Sequence, residues 1–149
     1  MIPFNSLPGL TFFEILIFEI IQTIIHFIIF EGFLYLGLFL HFKDKSQIDI
    51  KNILITGLIV EVVESITAFY SIFYVIGGGI AIIINLFITY AAEFLIIYLR
   101  YYEKNKLSLK WVFILFFITF PPAYLISITL TNIIFGLFGI PNAYSISFL

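Results

Sequence analysis

Residues 23–45 read TIIHFIIFEGFLYLGLFLHFKDK, and the fold turns on this stretch. From Thr23 to Phe42 there is one acid, Glu31, and no Lys or Arg; then Lys43-Asp44-Lys45 begins. About 20 mostly apolar residues at 1.5 Å rise cross a hydrocarbon core of about 30 Å, so the run predicts a transmembrane helix over 23–42 with a basic aqueous edge. The apolar run extends back to Leu10, and a helix from Leu10 to Phe42 would reach roughly 49 Å. Segment 10–22, with Glu14 and Glu19, is therefore expected as an extension at the outer interface.

Three more stretches of the same kind follow, at 52–76, 80–102 and 111–138. They are separated by a basic break at 43–51, by Gly77-Gly78-Gly79, and by a second basic break at 103–110. Three glycines hold a helix poorly and read as a tight turn. The expected fold is an all-α integral membrane protein, one domain over 1–149, with four spans in an up-down bundle.

Composition excludes the other classes. The chain is 62% hydrophobic and 11% charged, against about 45–50% and 25% in soluble domains, and disorder needs the opposite balance. There is no Cys, which removes disulfides, thiolate metal sites and thiol nucleophiles. A net charge of −2 offers no basic surface for nucleic acid.

The seven basic residues fall into two groups, Lys43, Lys45 and Lys51, then Arg100, Lys104, Lys106 and Lys110. By the positive-inside rule both groups face the cytoplasm, so both termini and the glycine turn are expected outside. The expected location is the cytoplasmic membrane, or a host membrane if the chain is virus-encoded.

Six of the nine acids lie in or beside the apolar stretches: Glu14, Glu19, Glu31, Glu61, Glu64 and Glu93. A charge at a helix centre costs roughly 2.5–3.5 kcal/mol on insertion scales, and each Leu, Ile or Phe returns only about 0.3–0.6. Protonation of one of the neighbouring Glu61 and Glu64 is the expected escape. The fourfold spacing of Gly77, Ala81, Asn85, Thr89 and Glu93 marks a packing face, as does Gly57, Glu61 and Ser65 with Glu64 beside it. These rows predict that Glu61, Glu64 and Glu93 point into the bundle. Tyr35, one turn from Glu31, is expected to hydrogen-bond to it. Glu19, Gln22 and His26 are expected to form an outer polar cluster on another face of the first helix, with His26 bonded to Gln22.

Pro121 and Pro122 remove two backbone donors, which frees the carbonyls of Phe117 and Ile118 and predicts a kink in the fourth helix. Acids from three helices and free carbonyls from the fourth suit a proton or cation site, with Glu31, Glu61, Glu64, Glu93, Asn85, Thr89 and Tyr35 as its candidate residues.

Metal, haem and other cofactors are not expected. A carboxylate di-iron bundle wants Glu-x-x-His, and this chain has only Glu61-x-x-Glu64. His26 and His41 lie about 22 Å apart on one helix, too far to share a haem. No nucleophile–base arrangement suggests an enzyme. The first functional expectation is a non-enzymatic small subunit or assembly partner of a membrane complex, or a homo-oligomer, in contact with the lipid bilayer. The alternative is a small channel or transporter for protons or cations built on the intramembrane glutamates.

Overall fold

A computed structural model describes residues 12–74, 79–102 and 107–138, with side chains at 17, 20–66, 87–102 and 107–138. Among the described residues the chain forms helices and no strand. The helices are α1 (Phe12–Phe42), α2 (Ile50–Tyr74), α3 (Gly79–Tyr101) and α4 (Leu109–Leu137), with a single 3-10 turn at Lys45–Gln47. Two segments are long and apolar enough to cross a membrane, Ile20–Phe42 within α1 and Leu109–Leu137. Segment 12–22 continues α1 without a break, so the described part of the predicted outer extension belongs to the same helix. Gly77, Gly78, Lys104 and Lys106 lie outside the described residues.

Local chemistry sets the helix ends. The Lys43 N–H donates to the Phe39 carbonyl at 2.8 Å, and Lys43 sits at φ 57°, the left-handed residue that commonly stops a helix. Asp44 accepts from the Ser46 N–H at 2.9 Å and from its hydroxyl at 2.8 Å, which holds its carboxyl below the usual aspartate value. Asp49 accepts from the Asn52 N–H at 3.2 Å at the start of α2, and Ser108 caps α4 by accepting from the Trp111 N–H.

Each helix packs against two others: α1 against α2 and α4, and α3 against α2 and α4. The pairs α1/α3 and α2/α4 do not approach among the described residues. On α1 the buried row is His26, Phe30, Leu34 and Leu38; on α4 it is Thr119, Ala123, Ser127 and Thr131. Both rows recur every four residues, one face of a helix. Small side chains on α4 let the backbones come close. Gly37 does the same from α1, where an added Cβ would lie 2.5 Å from Leu115 Cδ1. The buried hydroxyls bond back along α4: Thr119 to the Leu115 carbonyl, Ser127 to Tyr124 and Thr131 to Ser127.

Two sets of contacts bring both basic connections to one end of the helices. The His41 ring meets Trp111 with centroids 4.7 Å apart, joining the end of α1 to the start of α4. Arg100 at the end of α3 donates to the Asn52 side chain and to Thr56 Oγ1 at the start of α2. Thr56, itself bonded to the Asn52 carbonyl, also accepts from the buried Tyr101 hydroxyl at 3.3 Å.

Pro121 and Pro122 lie inside α4, which remains helical through them. The Phe117 side chain is exposed, and Ile118 and both prolines are half-buried. Thr119 bonds the carbonyls of Leu115 and Phe116, just before those that lose a donor to the prolines.

Candidate functional site

Three helices bring one imidazole and three carboxyls together. His26 comes from α1, Glu61 and Glu64 from α2, and Glu93 from α3. Glu61 and Glu64 are three residues apart, so one turn of α2 presents both on neighbouring positions. His26 Nδ1 lies 2.7 Å from Glu61 Oε1 and 3.3 Å from Glu64 Oε2. When protonated, Nδ1 donates to Glu61, the shorter contact. His26 is 2% exposed and Glu61 8%.

Glu93 completes the group. It is fully buried, its carboxyl lies in hydrogen-bonding contact with that of Glu64, and no N–H donor reaches either of its oxygens. Its charged neighbours are Glu64, which it faces, and Glu61. Two carboxyls in contact within a buried site are costly unless a proton or a cation neutralises them.

Aromatic rings wall the site. Phe120 of α4 meets the His26 ring edge-on at 6.0 Å, and Phe30 stands at the same distance along α1. Tyr90, nearly one turn before Glu93, meets Phe120 edge-on at 5.0 Å. Every helix thus contributes a ligand group or a wall, and the walls keep the dielectric low around the carboxyls.

Several sequence expectations need correction. His26 turns its Nδ1 across to Glu61 on α2, because that edge of α1 is the one covered by α2. The Glu19 side chain lies outside the described residues. Tyr35 makes no hydrogen bond with Glu31; its ring stacks on Phe39 at 6.5 Å, one turn further on. Glu31 rests over Gly57 on α2, where an added Cβ would lie 2.8 Å from Glu31 Oε1, and that oxygen has no hydrogen-bond partner. Ser65 is exposed and does not extend the buried row of Gly57 and Glu61. Thr89 is half-buried one turn from Glu93. The Asn85 side chain lies outside the described residues.

Three of these side chains also have the spacing of a metal site. One ligand atom each from His26, Glu61 and Glu64 lies within 4.8 Å of the others. Counting Glu-x-x-His motifs along the sequence misses this set, because its histidine comes from a different helix. The signal available in advance was the Glu61–Glu64 turn alone. Comparison with known protein families, with curated proteins and with solved structures finds no match.

Proposed function

We propose that this is a four-span protein of the cytoplasmic membrane, with both termini outside, that passes or exchanges protons or cations at the His26–Glu61–Glu64–Glu93 cluster. The observation that carries the reading is His26 Nδ1, in contact with two α2 carboxylates beside a third, fully buried carboxyl on α3. Ionisable groups clustered within apolar helices are expensive and commonly mark ion or proton routes. Imidazole and carboxyl groups within hydrogen-bonding distance can relay a proton by small shifts of each donor.

Supporting the four-span reading, all four helices expose large apolar side chains. Ile28 and Leu36 do so on α1, Leu58 and Val62 on α2, Phe87 and Leu99 on α3, and Phe117 and Leu125 on α4. Lipid accepts such surface, whereas water penalises it. The gathering of both basic connections at one end supports the orientation. A second reading, a small subunit of a larger membrane complex, rests on the same exposed faces, which suit neighbouring helices as well as lipid.

Reconstitution of the purified chain into liposomes with a trapped pH dye tests the first reading. A proton or cation flux is expected, falling by on the order of tenfold or more in Glu61→Gln and Glu93→Gln. A folded preparation without flux overturns it, and a fixed membrane partner in mild detergent then favours the subunit reading.

A further inference from the structure

His26 and Glu61 are not simply a bonded pair, because the contact leaves donor capacity on every side of one small volume. Glu64 Oε2 is 3.3 Å from the same imidazole nitrogen. Glu93 faces Glu64 from α3 in carboxyl–carboxyl contact, fully buried, and no N–H donor reaches either of its oxygens. If ionised, the three carboxyls carry three negative charges against at most one positive charge on His26.

We infer that the cluster is a binding site for one divalent first-row transition-metal ion of the zinc or manganese class. His26 Nδ1, Glu61 and Glu64 are its ligands and Glu93 is the carboxylate that closes it. The inference rests on the cation reading above and names the cation class.

The donor set selects the class. An imidazole nitrogen favours zinc, iron or copper over magnesium and calcium, while carboxylate oxygens suit manganese and zinc. Zinc sits about 2.0–2.2 Å from such ligands, which places tetrahedral ligand atoms about 3.4 Å apart. The ligand atoms already lie within 4.8 Å of one another. His26 Nδ1 and Glu61 Oε1 need only separate by less than about 1 Å from their hydrogen-bonded distance, and the ion replaces the proton between them. Glu93 supplies the second, independent sign of a ligand: a fully buried carboxyl directed at the cluster, whose oxygens meet another carboxyl, Glu64, and are reached by no N–H donor.

The test uses the full chain in detergent, stripped with chelator and titrated with Zn²⁺, Mn²⁺ and Mg²⁺ by calorimetry. One Zn²⁺ or Mn²⁺ per chain is expected, with Mg²⁺ unable to compete at equal concentration. Glu93→Gln and His26→Gln are each expected to weaken zinc binding by on the order of tenfold or more. X-ray absorption on the zinc-loaded wild-type chain reads the ligands without any variant, and one imidazole with oxygen ligands is expected. Absence of binding, or a zinc shell lacking imidazole, overturns the inference. Proton flux without metal binding overturns it while leaving the proton route standing; metal binding without flux of any ion retains the site and removes the transport reading.

Discussion

Lys43 ends α1 at φ 57°, a conformation that costs a side-chain-bearing residue about 1–2 kcal/mol relative to glycine. The hydrogen bond from its N–H to Phe39 does not involve the side chain. Lys43→Gly is therefore expected to raise stability by about 1 kcal/mol, read as a higher unfolding midpoint in detergent; an unchanged or lower midpoint counts against the strain. At the same scale, His26 shows what a single sequence leaves open. Its place within an apolar run was evident, but its partner depends on which edge of α1 meets α2.

At the scale of elements, the α1/α2 contact depends on Gly57. A Cβ there would lie 2.8 Å from Glu31 Oε1 and 3.0 Å from Phe27 Cε2. Gly57→Leu is expected to force the helices apart and destabilise the protein by about 1–3 kcal/mol, because both neighbours sit where the new side chain must go. Gly32 on the same helix pair has nothing within 4 Å of its added Cβ. Gly32→Ala is expected to be neutral or stabilising by up to about 1 kcal/mol, through helix propensity alone. Thermal unfolding of both variants in one detergent checks the contrast, and equal effects would refute the close approach at Gly57. The spacing Gly57–Glu61 already marked this face, whereas Ser65, one turn on, lies exposed. A strict repeat of four drifts around the helix, so its ends leave the interface.

At the scale of the whole molecule, the chain has no native Cys, which permits single-cysteine mapping. Ser46→Cys and Lys110→Cys are expected to react with an impermeant maleimide from the cytoplasmic side, and Ser6→Cys from the outside. Labelling of Ser46→Cys and Lys110→Cys from opposite sides would contradict the four-span orientation. The structural ground for the expectation is that Arg100 reaches Asn52 and His41 meets Trp111, so both basic connections share one end.

The sequence by itself determined that the chain is helical and apolar, and which acids lie inside apolar stretches. Those properties are local, since they follow from hydropathy, glycine and proline positions, and the placement of lysines. Tertiary structure decided the partners. It brought His26 of α1 to Glu61 and Glu64 of α2 beside Glu93 of α3, and it set Tyr35 against Phe39 instead of Glu31. α1 offers several faces of similar apolarity, and only the close packing that small residues allow, Gly37 on α1 itself, Gly57 on α2 and Ala123 on α4, selects the one that turns inward.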